Sequence, residues 1–148
     1  MPRAIDLLNE KSRLGKDGVV VTRPLASVVE AAHAMNDHRV GALPVVDDDG
    51  RLVGMFTERD VLTRIVAQER DPRHTRVGDV MSSPVIACDP QTPKDDLRAL
   101  MREKRIRHVP VVRDGRPVGM VSIGDLNITD ARVMTETISY LQEYMHKL

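Results

Sequence analysis

The chain of 148 residues contains an internal repeat, and this repeat limits the possible folds more than any other feature of the sequence. At a displacement of 66 positions (109 − 43), the segment LPVV at Leu43–Val46 falls on VPVV at Val109–Val112. The displacement becomes 65 after the turn Asp47–Gly50, which is one residue longer than the turn Arg113–Gly115. Surface turns tolerate such changes in length. The two halves of the chain are therefore expected to be two copies of one folding unit.

Both units predict the same order of secondary structure. A short apolar run, Val19–Val21 or Val85–Ala87, predicts a buried strand, and an apolar pattern with helical spacing follows it. The LPVV and VPVV runs then predict strands that tight turns join to Leu52–Phe56 and Val118–Val121. A second helix is expected at the end of each unit. We predict an α/β (α+β) fold in which two β-α-β-β-α repeats pack together, because neither unit is large enough for a comfortable core of its own.

The repeat divides the chain into five segments, which are an N-terminal segment 1–17, a first repeat 18–67, a linker 68–78, a second repeat 79–128 and a C-terminal helix 129–148. Apolar residues in the last segment recur at steps of four, three, four and three, a spacing typical of a coiled coil; they are Met134, Ile138, Leu141, Met145 and Leu148. The helix either packs on its own module or contacts the same helix of a second chain. Because Asn127–Asp130 contains no firm breaker, this helix can continue the one that begins at Ser122.

Composition and charge argue against several classes of protein. Lys plus Arg equals Asp plus Glu at 22 each, and the aromatic residues are two Tyr and one Phe, so neither charge nor stacking favours nucleic-acid binding. No apolar run approaches the roughly 20 residues that span a bilayer, and the N-terminus is unlike a secretory signal. Cys88 is the only cysteine and forms no internal disulfide. We therefore expect a cytoplasmic protein that is not associated with a membrane.

No catalytic or metal-binding motif is visible in the sequence. The five histidines form no cluster with ligand spacing. The acidic run Asp47–Gly50 fits a hairpin turn better than a calcium loop. No nucleophile is paired with a base. We therefore expect no metal site and no enzymatic activity.

A hydroxyl and a carboxylate recur at the same spacing in both units, in GMFTERD and in GMVSIGD. Thr57 and Asp60 of the first unit match Ser122 and Asp125 of the second, each 65 positions apart. One interpretation is a helix cap, with the hydroxyl at the N-cap and the acid three residues later. The other adds a ligand: a helix N-terminus favours phosphate, and an aspartate can accept hydrogen bonds from the 2′- and 3′-hydroxyls of a ribose.

The order of elements, the LPVV–turn–Gly–Thr-x-x-Asp run and the pairing of two units resemble a tandem of cystathionine-β-synthase (CBS) domains, also called a Bateman module. The resemblance covers roughly Gly18 to Leu126 and leaves no room for a catalytic domain. It implies a pseudo-twofold module with two clefts that bind adenosine-containing ligands such as AMP, ATP, NAD or S-adenosylmethionine. It also implies that the motif aspartate holds ribose, that the Ser or Thr lies near phosphate, and that two modules pair into a homodimer.

The resemblance further implies which residues share a cleft, because the motif of one unit faces the strands of the other. The first cleft would be lined by Thr57, Arg59, Asp60, Ile86, Ile106, Arg107, His108 and Pro110. The second cleft would be lined by Val20, Val40, Gly41, Ala42, Pro44, Ser122, Gly124 and Asp125. Apolar members of each set would enclose an adenine, whose edges backbone groups would read.

The two clefts differ in charge. The first has Arg59 and Arg107 where the second has Gly124 and Gly41, so the first suits phosphate groups better. The alternative is that these arginines are solvated surface charges. Gly124 would let a phosphate approach the backbone of the second cleft closely, and Lys16 would supply some charge there. We therefore expect a ligand first beside Asp60.

These observations predict a regulatory module that binds AMP, ADP, ATP or NAD and passes the change to an unknown regulated protein. A ligand can do so only if it binds two states of the module with different affinity. The competing hypothesis is a protein-interaction module without a small-molecule ligand, in which both aspartates only cap helices. A nucleic-acid-binding module is a third and less favoured hypothesis.

Overall fold

The computed structural model describes residues 1–15 and 18–147, and it contains two small antiparallel sheets with helices around them. In chain order the elements are α1 (Ala4–Arg13), α2 (Val28–His38), β1 (Ala42–Val46), β2 (Leu52–Thr57), α3 (Glu58–Asp60, continued by a π-helical segment Val61–Val66), α4 (Val77–Val80), α5 (Lys94–Lys104), β3 (His108–Arg113), β4 (Arg116–Ser122) and α6 (Ile123–Lys147). The prediction of a mixed helix-and-strand fold from two repeats is confirmed.

Each unit contains the predicted hairpin, and the two hairpins share their irregularities. Strand β1 pairs with β2 and strand β3 with β4, and each ladder has a register shift at the second valine of its PVV run. In the first turn the Asp47 carboxylate accepts from the backbone N–H groups of Asp49 and Arg51, both at 2.9 Å. Gly50 and Gly115 close the turns at φ +79° and +78°, where a side chain would be strained.

The predicted first strand of each unit is not formed. In its place the structure has one isolated parallel bridge per unit, Thr22 with Val45 and Cys88 with Val111. The N–H of Thr22 donates to Pro44 O (3.0 Å), and the N–H of Val46 donates to Thr22 O (2.9 Å). The next bond of a parallel ladder would start from the N–H of residue 44, which proline lacks. Pro110 stops the ladder of the second unit in the same way.

Each unit has its own cluster of buried apolar side chains, and a helix from outside the predicted bounds of that unit completes each cluster. Val77 and Val80 of α4 join the first cluster, which contains the only phenylalanine, Phe56. Ala4 and Leu7 of α1 join the second cluster. Contrary to the expectation that a unit is too small for a core of its own, each unit has a separate apolar cluster, which an added helix enlarges. The units also touch at their turns, where Leu52 N donates to Gly115 O (2.9 Å).

Helix α6 is continuous from Ile123 to Lys147, so the last helix of the second repeat and the C-terminal helix are one element. Its base is fixed by ion pairs from Asp130 to Lys94 and Arg98 of α5. Residues 131–147 are exposed, so the interpretation that the stripe packs on its own module is wrong. Leu148 of the stripe lies outside the described residues. Over those residues, the structure has no helix with the length and apolar character needed to span a membrane.

Candidate functional site

Both motif aspartates cap helices, as one of the two interpretations predicts. In the first unit, Thr57 N donates to Asp60 Oδ2 (2.9 Å) and Asp60 N donates to Thr57 Oγ1 (3.2 Å). In the second unit, Ser122 N donates to Asp125 Oδ2 (2.8 Å) and Asp125 N donates to Ser122 Oγ (3.1 Å). Each pair satisfies two backbone N–H groups at a helix start. Capping alone therefore explains why the hydroxyl and the carboxylate have the same spacing in both units.

The remaining contacts of the two carboxylates differ. Asp60 is 5% exposed, and its Oδ1 accepts from the Ser82 hydroxyl at 3.2 Å. Arg64 Nε lies 3.5 Å from the same oxygen. Asp125 instead uses Oδ2 for a second partner, the Lys11 ammonium at 3.0 Å. Asp60 is thus covered by a hydroxyl and by an ion pair with the half-exposed Arg64, and Asp125 by a shorter ion pair with the less exposed Lys11.

Asp60 lies in the wall of a cavity of about 730 Å³ to which both units contribute. Seven of the eight residues predicted for the first cleft line this cavity, namely Thr57, Arg59, Asp60, Ile86, Ile106, Arg107 and His108. The eighth, Pro110, is buried in β3 and does not line it. The motif of the first unit and the residues before and at the start of β3 in the second unit thus border the same cavity.

The cavity contains more cations than the sequence indicated. Arg64, Lys104 and Arg105 join Arg59 and Arg107, while Asp60 and Glu58 are the acidic residues among those that line it. Five basic side chains facing two acidic ones give the cavity a positive potential. Arg59 and Arg107 are exposed, as the interpretation of solvated charges requires, yet both border the cavity.

Two local signals point to the cations that the sequence analysis did not include. Arg64 follows Asp60 by four residues, which places the two side chains on the same side of a helix. Arg105 is the C-cap of α5 in the left-handed region at φ +54°, and its match Arg39 ends α2 at the same φ. Both signals concern helix geometry and not the motif, so a search by motif did not find them.

His108 lines this cavity, and it is paired with Ser122 of the second motif in the β3–β4 ladder. Burial lowers the pKa of the His108 imidazole, and this effect outweighs the Glu58 and Asp125 carboxylates, which would raise it. The neutral imidazole is therefore favoured at pH 7. In that state His108 contributes a hydrogen-bonding group and not a charge to the cavity.

The residues predicted for the second cleft do not lie around one described cavity. Val40 and Gly41 line a cavity of about 500 Å³ beside Glu58, and Gly41 also borders the larger one. Ala42 and Pro44 are buried in β1, and Val20 packs against the first apolar cluster. Ser122, Gly124 and Asp125 line neither of these two cavities. Lys16 lies outside the described residues.

Cys88 is poorly suited to act as a nucleophile. Burial raises the pKa of the Cys88 thiol to about 11, so the nucleophilic thiolate is disfavoured at neutral pH. Within residues 1–15 and 18–147, no three side chains of His, Cys, Asp or Glu are grouped to hold a metal ion. The first cleft therefore offers binding contacts, which are apolar walls, a capped carboxylate and five cations.

Comparison with known proteins shows the same arrangement elsewhere. The family model of the CBS domain matches residues 12–67 and 77–127. CBS domain-containing protein CBSX3, mitochondrial, of Arabidopsis thaliana is 38% identical over 123 residues, which is 80% of this chain and 60% of that protein. The chain thus spans less than two thirds of that relative's length.

Two solved structures share the fold over most of this chain. A protein with CBS domains from Burkholderia ambifaria MC40-6 superposes with a TM-score of 0.80 at 35% identity, covering 86% of this chain and 93% of that one. The CBS domain pair of protein MJ0100, in complex with 5′-methylthioadenosine and S-adenosyl-L-methionine, superposes with a TM-score of 0.77 at 27% identity. It covers 88% of this chain and 97% of that one.

Proposed function

Because this chain belongs to the CBS domain family, with one CBS domain in each of its two units, we propose that it is a regulatory module that binds an adenine nucleotide in the first cleft. The observation that carries the proposal is the cavity in which a capped aspartate, apolar walls and five cations meet. The complex of the MJ0100 domain pair with two adenosine compounds supports the class of ligand. No catalytic role is proposed.

Asp60 is proposed to hold the ribose. Its Oδ2 stays occupied by the Thr57 backbone N–H, while Oδ1 accepts one hydroxyl at 3.2 Å and has an arginine at 3.5 Å. A carboxylate oxygen accepts about two hydrogen bonds, so the ribose hydroxyls can replace the Ser82 hydroxyl without leaving Asp60 unsatisfied. This exchange explains how a buried, capped carboxylate can still bind a ligand.

The charge of the cavity favours ligands that carry phosphate. Arg59 and Arg107 can pair with phosphate oxygens, and Ile86 and Ile106 offer apolar surface to adenine. The excess of cations would repel the positively charged sulfonium of S-adenosylmethionine. We therefore rank AMP, ADP, ATP and NAD above S-adenosylmethionine and methylthioadenosine for this chain.

Arg64 gives the cleft a physical connection to the rest of the module. Its Nε lies near Asp60, and its Nη1 donates to Val80 O and Met81 O of α4, both at 3.1 Å. A ligand that draws Arg64 toward phosphate would loosen its hold on α4. Such a ligand shifts the population of module states and passes the change to a partner protein.

We also propose that the module is a cytoplasmic homodimer that pairs through α6. The stripe residues Met134, Ile138, Leu141 and Met145 are 50–70% exposed. The spacing of the stripe is that of a coiled coil, in which the apolar stripes of two helices pack against each other. A second copy of the same helix is therefore the proposed partner of this surface.

The competing function is a ligand-free interaction module, and one observation favours it: both aspartates are satisfied as caps within this chain. Thermal unfolding with AMP, ADP, ATP and NAD separates the two functions. A ligand at 100 times its Kd adds about 2.7 kcal/mol to stability, a shift on the order of 5–10 °C for a chain of this size. Asp60→Asn should lose the shift, whereas the matched cap variant Asp125→Asn should keep it. If none of the four nucleotides raises the melting temperature, the sensor function is wrong.

A further inference from the structure

Helices α1 and α4 are equivalent in the repeat, since α1 precedes the first unit in the chain and α4 precedes the second. We call them the leading helices. Ala4 N donates to Thr92 O, and Val77 N donates to Ala26 O, both at 2.8 Å. The two donors, at the start of α1 and of α4, are 73 positions apart (77 − 4). Leu8 of α1 packs against Gly119 as Met81 packs against Gly54. The repeat therefore includes a leading helix in each unit.

The two leading helices differ in length, and the difference is local. From Leu8 to Val19 the chain takes 11 steps, and from the matching Met81 to Val85 it takes 4, so the first connection is longer by seven residues (11 − 4). Helix α1 has 10 residues and α4 has 4. Part of the extra length thus makes α1 longer than its match α4.

The extension carries Lys11 to the second motif. In the first unit, Ser82 and Pro84, which follow α4, line the first cleft. In the second unit the equivalent position is Lys11, whose ammonium donates to Asp125 Oδ2 (3.0 Å) and to Met120 O (2.9 Å). Met55, the match of Met120, lines the first cleft. Ser82 N donates to Met55 O (2.8 Å) as the Lys11 ammonium donates to Met120 O, so the ammonium stands where the first unit has Ser82.

The Lys11–Asp125 pair is held firmly. The two side chains are 26% and 18% exposed, so water screens their attraction only in part. Both partners of this hydrogen bond are charged, whereas a ribose hydroxyl would bring only a neutral donor to Asp125. The adjacent Glu10 pairs with Arg132 of α6 and fixes the same turn of α1.

We propose that Lys11 decides which cleft binds: its ammonium stands where the first unit has Ser82, the group that a ribose would displace, and it pairs with Asp125, so that each chain takes one nucleotide, beside Asp60. This inference rests on the proposed function of the first cleft. It identifies a specificity-determining residue outside both motifs. The seven-residue difference between the connections, and not the motif itself, makes the two CBS domains unequal.

The test is the number of AMP molecules bound per chain, measured by isothermal titration and by equilibrium dialysis. Wild type is expected to bind one, and Lys11→Ala two. A second variant that lacks residues 9–15 makes the two connections equal in length and should also bind two. Arg13→Ala, an exposed position on the same helix, is the matched control and should bind one. Adding Asp125→Asn to Lys11→Ala should remove the second molecule.

Each other outcome decides against one proposal or both. If Lys11→Ala and the shortened variant both melt as folded proteins and still bind one AMP beside Asp60, the role of Lys11 is refuted and the sensor function stands. If wild type binds an AMP molecule whose binding is lost in Asp125→Asn, the role of Lys11 is also refuted. If wild type binds no AMP while Lys11→Ala binds one molecule that requires Asp125, the role of Lys11 stands, and the proposal that the first cleft binds AMP is wrong. No binding in any variant refutes both.

Discussion

Replacing Leu7 with alanine is the sharpest test of the leading helix that completes the second unit. Leu7 is 3% exposed in the cluster that also holds Val109 and Leu126. Leu7→Ala removes three carbons, worth about 2.4 kcal/mol at roughly 0.8 kcal/mol each, and the cavity left behind adds to this. We expect a loss of about 3 kcal/mol, within the range of about 2–5 kcal/mol for buried leucines. That is a large part of a typical unfolding free energy of about 5–15 kcal/mol.

Urea unfolding followed by circular dichroism measures this loss. The midpoint of Leu7→Ala should fall at an unchanged slope, because the same surface is exposed on unfolding. Leu14→Ala is the matched control, since Leu14 ends the same helix but is 63% exposed. Its free energy of unfolding should stay within about 0.5 kcal/mol of wild type. Equal midpoints for the two variants would refute the claim that α1 belongs to the core of the second unit.

Two further predictions concern His108 and α6. Since burial lowers the folded-state pKa of His108, its contribution to stability is complete above the unfolded pKa of about 6.5 and is lost as the pH falls below it. Urea midpoints of wild type should therefore fall more between about pH 7.5 and 5.5 than those of His108→Gln, and equal falls would contradict this burial. On α6, Ile138→Glu should convert the dimer to a monomer in analytical ultracentrifugation. Ser139→Glu, outside the stripe, should not, and a shared mass for both variants would exclude pairing through this helix.

The hairpins were predictable because their signals are local. The PVV runs, the Asp–Gly turns and the one-residue difference between the turns all act within a few positions. The first strands were predicted wrongly although the reason was visible in the sequence. Pro44 and Pro110 cannot donate the second hydrogen bond of a parallel ladder, so a β-branched run beside them makes only one bridge.

Helix α1 was missed because the N-terminal segment was examined only for a targeting signal. A comparison at a displacement of 73 would have aligned Asp6, Leu7 and Leu8 with Asp79, Val80 and Met81. The contact of Lys11 with Asp125 spans 114 positions, and no local pattern indicates it. The first cleft was predicted better than the second because its lining lies inside the repeat, whereas the second motif faces an element before it.

The two motif aspartates differ in their partners because only their cap contacts are local in sequence. A cap needs a hydroxyl and an acid three residues apart, so each unit keeps its cap whatever surrounds it. Two other partners come from the two leading segments: Ser82 follows α4, and Lys11 lies in the part of α1 that has no counterpart in α4. The connections from Leu8 to Val19 and from Met81 to Val85 differ by seven residues. The short connection places the Ser82 hydroxyl against Asp60, and a ribose hydroxyl can replace that hydroxyl. The long connection includes Lys11, whose ammonium pairs with Asp125. A neutral ribose hydroxyl can replace this ammonium only by breaking the ion pair. Identical local geometry thus produces two sites of unlike chemistry.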